Sequence, residues 1–536
     1  MKLLNSHITK KAVYVLTGLT LYACKSYEKA ETNKSIQMNT SEEALYRPNF
    51  HFTPSIGWMN DPNGMFYLNG KYHLYFQYYP KDNVWGPMHW GHATSEDLIV
   101  WKEQPIALFP DDLGYIFSGS VVVDHDNTAG FAKDGKTAVI AIFTYHNIKG
   151  EKVGKIDFQS QGMAYSLDEG QSWTKYEGNP VLPNPGIKDF RDPKVVWDAQ
   201  HNQWLMALAT YEKTIFYTSK NLKNWELLSS FGEYLGAHGG VWECPDFLPM
   251  QVEGTDETKW VLIQSINPGH VNGGSGTQYF IGDFDGKTFV LDTLFSKQLS
   301  EQKAIWLDYG KDNYAGVTWS NIPKEDGRKL FIGWLSNWEY AQVVPTTTWR
   351  SAMTMARNLK LLRKEEGFFL ISQPVKELDT YKTIVKEKNS IEFTDTYTLI
   401  EQHELDIHKA VISLRLSNLK EDTYNFTLSN SSGDVLQFGI NNKDHYYYID
   451  RRKSGDIAFS EKFAEKISTA NFRNFKNDVS LQIIIDKTSV EIFYDHGKTV
   501  MTELFFPTAP MQNLKLNTLN HSKTSIDTLV ISELKL

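Results

Sequence analysis

The sequence has few cysteines, no long basic run and no long amphipathic helix pattern, and each absence argues against a class of protein. Only Cys24 and Cys244 occur among the 536 residues. They lie in very different contexts, so a disulfide framework is not expected. No Cys-x-x-Cys or His-Glu-x-x-His spacing indicates a metal site, and we expect no metal. The net charge of −9 without a basic run argues against a nucleic-acid partner.

The start of the chain has the pattern of an export signal. A lysine-bearing start precedes an apolar run over residues 12–23, which is too short to span a bilayer. The run ends in Leu21-Tyr22-Ala23-Cys24, which resembles the lipobox of bacterial lipoproteins. We therefore interpret residues 1–24 as a signal peptide and Cys24 as the lipidated residue after cleavage. Because Tyr22 is larger than is usual at its position, an ordinary secretory signal is the alternative.

The next stretch, residues 25–45, is polar and is predicted to be a flexible tether. Together with the lipobox-like end, it predicts an exported, membrane-anchored bacterial lipoprotein, either periplasmic or at the cell surface. Its only membrane contact would then be the N-terminal lipid anchor.

The main body, residues 46–375, shows short strand-like runs separated by Gly, Asn, Asp and Pro, which is typical of an all-β fold. A weak internal repeat narrows the architecture. Ser95–Trp101 recurs as Ser219–Trp225 and, as a variant, in Ser166–Trp173, with a looser copy over residues 282–289. Each copy lies between two predicted strands, which favours the four-stranded blades of a β-propeller over a sandwich. The closing Trp is predicted to be mainly structural.

After Gln373 the composition changes. A Lys- and Glu-rich stretch through Glu387 is predicted to be a linker. Alternating strands follow, for example over residues 410–416 and 479–486, so residues 376–536 are predicted to be a linker and a β-sandwich. The three tyrosines Tyr446–Tyr448 fit either a sugar contact or an edge strand with one buried face.

Asp61 lies in the stretch Trp58-Met59-Asn60-Asp61-Pro62-Asn63-Gly64, just before a predicted hairpin. The hairpin joins two strands, 65–68 and 71–77, through an Asn-Gly turn. An aspartate beside a turn is usually a turn residue only. Two further acidic motifs in the same context make a functional role for Asp61 the better interpretation.

These motifs are Asp189-Phe190-Arg191-Asp192-Pro193 and Trp242-Glu243-Cys244-Pro245-Asp246. In each, the acid is predicted to lie just before a strand of a successive repeat, and equivalent strands of a propeller face the same funnel. Glycoside cleavage needs one carboxylate that attacks and another that donates a proton. Asp61 and Glu243 fit these roles and Asp192 fits a binding group. An aromatic content of 13% suits sugar stacking as well as an aromatic-rich core.

The three motifs, in this order, resemble the signatures of the invertase–levanase–inulinase family of β-fructofuranosidases, glycoside hydrolase family 32. The resemblance covers the chain from about Tyr46 to the C-terminus. Further matches lie at Trp90–His92, Phe117–Ser120, Gly333–Trp338, Trp349–Met353 and Ser489–Phe493.

This resemblance implies a five-bladed β-propeller followed by a C-terminal β-sandwich, and a retaining reaction without a cofactor. It implies that Asp61 is the nucleophile, Glu243 the acid and base, and Asp192 the stabiliser of the transition state. Cys244 would be a small residue that supports Glu243. The residues implied to bind substrate are Trp58, Asn60, Gln77, Trp85, Phe117, Ser118, Arg191 and Trp338.

Within the family, the run Asp312–Trp319 and the stretch Trp349–Met353 look more like exo-acting levanases and inulinases than plant invertases. We therefore predict release of terminal fructose from a β-fructan, levan or inulin, with sucrose as a further substrate. The alternatives are an endo-levanase, a fructosyltransferase, an inverting pentosidase and a non-catalytic fructan-binding lipoprotein. The sequence leaves the oligomeric state open.

Overall fold

The computed structural model describes residues 40–472 and 474–536. The predicted signal peptide, with Cys24, lies outside the described residues. The prediction of a flexible tether over residues 25–45 is wrong for its last residues, because helix α1 (Thr40–Tyr46) begins within it. Glu42 in this helix accepts hydrogen bonds from the backbone N–H and the hydroxyl of Thr347, so this part of the chain is bound to the body. Among the described residues, no helix has the length and apolarity needed to cross a membrane.

The first part of the chain forms five mainly antiparallel sheets of four or five strands. The first sheet contains β1 (Gly57–Leu68), β2 (Lys71–Tyr79), β3 (His89–Ser95) and β4 (Lys102–Leu108). The second contains β5 (Tyr115–Asp124), β6 (Ala138–His146), β7 (Gln159–Ser166) and β8 (Thr174–Lys175), with helix α2 (Ile148–Lys152) after β6. The third contains β9 (Arg191–Asp198), β10 (Gln203–Thr210), β11 (Lys213–Ser219) and β12 (Glu226–Phe231).

The remaining two of these sheets follow directly. The fourth contains β13 (Val241–Gln251), β14 (Thr258–Asn267), β15 (Gly276–Phe284) and β16 (Phe289–Leu291), followed by helix α3 (Thr293–Gln302). The fifth contains β17 (Tyr314–Thr318), β18 (Lys329–Leu335), β20 (Ala352–Met353), β21 (Arg357–Lys364) and β22 (Gly367–Pro374). The short strand β19 (Trp349–Arg350) leaves this run and pairs in parallel with β1, where Gly57 lies opposite Trp349.

The five sheets are arranged in a cycle. Their first strands, β1, β5, β9, β13 and β17, pack side by side in this order, and β17 contacts β1 again. Side chains between neighbouring sheets form buried aromatic clusters such as Phe216, Phe247 and Phe284. This all-β arrangement is consistent with the predicted propeller.

The repeated motif joins the third and fourth strands of its sheets. In the first copy the hydroxyl of Ser95 accepts a hydrogen bond from the N–H of Leu98, 2.8 Å away. The indole N–H of Trp101 donates to the carbonyl of Leu98, and Trp225 makes the equivalent contact in another sheet. The motif is therefore a turn closed by its own Trp.

The last part of the chain forms two six-stranded sheets that enclose one apolar core. One sheet contains β23 (Lys382–Phe393), β25 (Ala410–Ser417), β30 (Asp478–Ile485), β31 (Ser489–Tyr494), β32 (Thr499–Leu504) and β34 (Thr524–Leu534). The other contains β24 (Thr396–Ile400), β26 (Thr423–Ser429), β27 (Val435–Asn441), β28 (Tyr446–Lys453), β29 (Ser468–Asn471) and β33 (Asn513–Thr518). The arrangement is consistent with the predicted sandwich.

Two details of this part differ from or extend the prediction. The charged stretch predicted to be a linker is the edge strand β23, which pairs with β34. Its residues are almost all solvent-accessible, and an exposed edge strand carries the same Lys and Glu composition as a linker. Tyr447 is a core residue in the internal strand β28, where its ring stacks on Tyr494 at 3.9 Å.

His51, just before β1, connects the cyclic sheets to the sandwich. Its imidazole Nδ1 lies 2.8 Å from a carboxylate oxygen of Asp486, and its Nε2 lies 2.8 Å from Glu491. Glu491 also accepts a hydrogen bond from Arg357. Burial alone would lower the pKa of His51, but the two carboxylate hydrogen bonds outweigh it and raise the pKa to about 9.

We predict that His51 makes stability depend on pH above neutrality. The folded-state pKa of about 9 lies above the ordinary value of 6.5, so the contribution is complete below about pH 6.5 and is lost as pH rises through 9. His51→Gln should lower the free energy of unfolding at pH 6 by about 3 kcal/mol, because it removes the imidazolium from two buried carboxylates, of which Glu491 keeps a second cation, Arg357. Urea unfolding between pH 6 and 9.5 measures this.

The difference between wild type and His51→Gln should shrink across that pH range. His521→Gln is the matched control, since His521 pairs with Asp395 on the surface, and it should follow the wild type at every pH. A difference between wild type and His51→Gln that stays constant with pH would contradict the prediction.

Candidate active site

Asp61, Asp192 and Glu243 each lie in the first strand of a sheet, near its start, and not before the strand as predicted. In each case the pairing with the second strand continues past the acid, but its register shifts at that point. The shifts lie between Met59 and Pro62 in β1, opposite Ala207 to Ala209 for β9, and between Glu243 and Asp246 in β13. Such a β-bulge breaks the regular ladder and redirects a side chain.

The same irregularity occurs in the other two first strands. In β5 the register shifts between Ile116 and Gly119, around Ser118, and in β17 it shifts between Tyr314 and Val317. All five first strands are therefore bulged near the same end of the cycle, and their side chains converge there.

The converging side chains line a pocket of about 330 Å³, here called the carboxylate pocket. It brings together ten of the eleven predicted catalytic and substrate-binding residues. These are Asn60, Asp61, Gln77, Trp85, Phe117, Ser118, Arg191, Asp192, Glu243 and Trp338.

Trp58 is the exception, and its predicted substrate contact is corrected by the structure. Its side chain is fully buried and packs against Trp334 and Trp338. Its indole N–H donates to the side-chain oxygen of Asn60 at 2.7 Å. Trp58 therefore fixes the orientation of Asn60 from behind the pocket wall.

Asp61 receives hydrogen bonds on both carboxylate oxygens. The amide of Asn60 donates to Oδ1 at 2.9 Å, and the hydroxyl of Ser118 donates to Oδ2 at 2.6 Å. The thiol of Cys244 lies 3.3 Å from the same Oδ2. These contacts come from three different positions in the chain, and together they hold the carboxylate of Asp61 in one orientation.

Glu243 is held from both sides as well. Arg191 donates to Oε1 at 2.7 Å, and the hydroxyl of Tyr314 donates to Oε2. The same guanidinium donates to Asp189 at 2.6 Å and lies 3.9 Å from Asp192. One cation therefore lies among three carboxylates.

Asp192 is buried near the other two acids. Burial raises the pKa of Asp192 to about 7, and the charges of Glu243 and Asp61 add to this, while Arg191 and a hydrogen bond from the Cys244 N–H oppose it. Burial, together with the neighbouring carboxylates, also raises the pKa of the Cys244 thiol well above its usual value. The thiol is therefore protonated and acts as a hydrogen-bond donor beside Asp61.

The structure adds pocket residues that the sequence did not single out. Tyr314 contacts Glu243, and it lies in the run that carried the resemblance to exo-acting enzymes. His146 stacks on Phe117 at 4.1 Å, and burial lowers the pKa of its imidazole to about 4, so it is neutral. Asn267 and Gln342 also line the pocket. Nothing in the local sequence around His146 indicated this position.

The set as a whole has the properties that glycoside cleavage requires. The carboxylate of Asp61 is held by hydrogen-bond donors, and that of Glu243 lies between a cation and a phenol. The third carboxylate, of Asp192, is buried, and all three line one pocket with aromatic walls. In the described part of the chain, no three His, Cys, Asp or Glu side chains are grouped so as to hold a metal ion.

Comparison with known proteins shows the family. Residues 51–374 match the model of the glycosyl hydrolases family 32 N-terminal domain, and residues 376–533 match the family 32 C-terminal model. The chain belongs to glycosyl hydrolase family 32, and it is a glycosidase.

Named relatives span most of the chain. A levanase of Bacillus subtilis is 43% identical over 492 residues, which cover 91% of this chain and 70% of the relative. An extracellular exo-inulinase of Aspergillus ficuum is 39% identical over 493 residues, covering 86% and 90%. Among solved structures, the exo-inulinase of Aspergillus awamori superposes with a TM-score of 0.82 at 34% identity, over 92% of this chain and 98% of that one.

We predict that Asp192 makes stability fall as pH rises from about 4 to 7. Its folded-state pKa of about 7 lies above the ordinary value of 3.8. Between these pH values the unfolded state has released the proton while the folded state still holds it, so stability falls as pH rises. Asp192→Asn has no such proton. The free energy of unfolding of the variant minus that of the wild type should therefore increase with rising pH, by at most about 4 kcal/mol. Urea unfolding at pH 4.5 and 7.5 tests this.

The exposed Asp126, changed to Asn, is the control, and it should show no such gain. If Asp192→Asn and wild type differ by the same amount at both pH values, then Asp192 does not hold a proton in the folded enzyme near neutrality.

Proposed function

We propose that the protein is a retaining β-fructofuranosidase that releases terminal fructose from β-fructans, levan or inulin, and also cleaves sucrose. The observation that carries this proposal is the placement of Asp61, Asp192 and Glu243, on three separate strands, in one pocket. The relatives named levanase and exo-inulinase support it. So does the structural likeness to a β-fructofuranosidase of Schwanniomyces occidentalis complexed with fructosyl-erythritol, with a TM-score of 0.82 at 34% identity.

We also infer that the five cyclic sheets are the blades of a five-bladed propeller covering residues 46–375, with the sandwich in 376–536. The cyclic packing of the five first strands supports the blade count. The pairing of β19 with β1 supports it further, because it joins the last sheet to the first. The two family models meet between residues 374 and 376, which supports the boundary.

In the first step Asp61 acts as the nucleophile. Its carboxylate attacks C2 of the terminal fructosyl unit, and the bond from C2 to the leaving oxygen breaks. Glu243 gives its proton to that oxygen, so the shortened chain leaves as a neutral alcohol. The product of the step is a fructosyl ester on Asp61. The hydrogen bonds from Asn60 and Ser118 hold the carboxylate in place for attack.

In the second step Glu243 acts as a base. It takes a proton from a water molecule, whose oxygen attacks C2 and breaks the ester bond, which releases fructose and restores Asp61. Two inversions at C2 give net retention. Arg191 and Tyr314 keep the Glu243 carboxylate in one orientation through both steps. No cofactor takes part in this scheme.

Asp192 serves as the stabiliser of the transition state in this proposal. It is buried beside both catalytic carboxylates and accepts a backbone hydrogen bond from Cys244, so its position is fixed before substrate arrives. Gln77, Trp85, Phe117 and Trp338 also line the pocket. A pocket of about 330 Å³ suits one terminal sugar unit and supports exo action.

We further propose that the protein is exported and that Cys24 anchors it to a bacterial membrane. The lipobox-like sequence supports the anchor. The word "extracellular" in the names of several fungal relatives supports export.

The proposal predicts the first product from three substrates. Wild type should release fructose as the first product from levan, inulin and sucrose, measured by chromatography at low conversion. Asp61→Asn should lower kcat about ten-thousand-fold on all three, because it removes the attacking carboxylate. Asp126→Asn, the same change on the surface, should keep wild-type activity.

Each part of the proposal has an outcome that would contradict it. Oligosaccharides as first products would exclude exo action. Undiminished activity of Asp61→Asn would exclude Asp61 as the nucleophile. Release of α-fructofuranose, detected by NMR in the first minutes, would exclude retention.

A further inference from the structure

A shallow depression lies next to the carboxylate pocket on the third sheet. It has a volume of about 440 Å³ and is here called the tyrosine depression. It is lined by the tip of the β10–β11 hairpin and by residues that precede β9 and follow β12. These residues are Ile187, Lys188, Thr210, Tyr211, Glu212, Lys213 and Glu233.

The strand register places this depression at the same end of the sheet as the catalytic acids. Ala209, near the end of β10, lies opposite Arg191 at the start of β9. The backbone N–H of Trp242, next to Glu243, donates to the carbonyl of Tyr211 at 3.0 Å. Lys188 lines the depression and Asp189, the next residue, lines the carboxylate pocket. The two concave surfaces therefore lie close to each other.

Two exposed tyrosines lie at this depression: Tyr211 lines it, and Tyr234 is next in the chain to the lining residue Glu233. Tyr211 is 45% exposed at the hairpin tip, and Tyr234, directly after Glu233, is 88% exposed. Exposed phenol rings can stack on the C–H face of a sugar while their hydroxyl groups stay hydrated.

The loop that carries Tyr234 has a fixed conformation. Gly232 and Gly236, at its two ends, both have positive φ angles. A Cβ atom at Gly232 would lie 2.3 Å from the ring of Trp242, so this position requires glycine. Lys213 in the hairpin pairs with Glu233 at 3.1 Å and ties the loop to β11. The loop is therefore held against Trp242 and β11 on the N-terminal side of Tyr234.

We propose that the tyrosine depression binds the fructosyl units of a β-fructan chain that follow the unit being cleaved, with Tyr211 and Tyr234 as stacking platforms. This inference rests on the proposed function, because it places the leaving part of a long substrate beside the catalytic pocket. Lys188 and Glu212 lie within the same surface and supply hydrogen bonds to sugar hydroxyls. Sucrose has only one unit beyond the cleaved bond, so it does not need this surface.

The test compares long and short substrates. The double variant Tyr211→Ala with Tyr234→Ala should lower kcat/KM on inulin or levan about ten-fold, through KM, since each lost ring costs a few-fold in affinity. On sucrose its kcat and KM should stay within about two-fold of wild type. Tyr211→Phe with Tyr234→Phe keeps both rings and should behave like wild type on every substrate. Leu227→Ala is the control, because Leu227 is 65% exposed at the other end of the same sheet.

The outcomes separate this inference from the proposed function. Unchanged KM on the long fructans, or an equal loss on sucrose, would overturn the role of the two tyrosines while leaving the proposed function intact. If the wild type cleaved none of these substrates, the proposed function would fail. In that case, affinity electrophoresis in gels that contain inulin would still decide whether the depression binds fructan. It would compare the retardation of Asp61→Asn with and without the double alanine change.

Discussion

The chemistry of this site depends on one guanidinium among several carboxylates. Asp61, Asp192 and Glu243 line one pocket, and neighbouring carboxylates disfavour each other's ionised form. Arg191 contacts Glu243 directly, lies near Asp192 and is itself held by Asp189. The burial of Arg191 would lower its pKa, but these neighbours raise it, so its charge is permanent. The roles proposed for the three acids all require this balance.

The fold supplies the positions through a repeated irregularity. Each strand that carries one of the three acids departs from a regular ladder at that acid, and the other two first strands are irregular as well. The sequence of the motifs explains part of this. Pro62, Pro193 and Pro245 follow the acids within two residues, and a proline has no N–H to donate to a neighbouring strand. The motifs therefore combine the reacting group with the residue that makes a bulge tolerable.

Much of this site could be predicted from the sequence because its residues lie in three short motifs. The three acids and Arg191 lie in these motifs, and Ser118 lies in the further match Phe117–Ser120. Proximity in a motif does not reveal burial, so the sequence predicts Trp58 as a pocket residue although it lies behind Asn60. Tyr314 reaches Glu243 only through packing of different sheets, which local patterns do not record.

The fold was predictable to a similar extent and for similar reasons. The repeated turn and the alternating strands indicated the all-β class, since both are local patterns. The sequence predicts a linker where the edge strand β23 lies, because exposure on both faces removes the alternation of polar and apolar residues that marks a strand. The helix at Thr40 depends on the contact between Glu42 and Thr347, which are distant in sequence.

The pairing of β19 with β1 has a consequence for how the chain is made. The strand that carries Asp61 is synthesised early, but its parallel neighbour comes from Trp349 and Arg350, much later in the chain. A contact of such long sequence separation forms late and slowly in folding. The β1 edge of the first sheet therefore lacks this partner until the rest of the cycle has been translated. A chain that stops before Trp349 would contain Asp61, but the sheet that carries Asp61 would be incomplete.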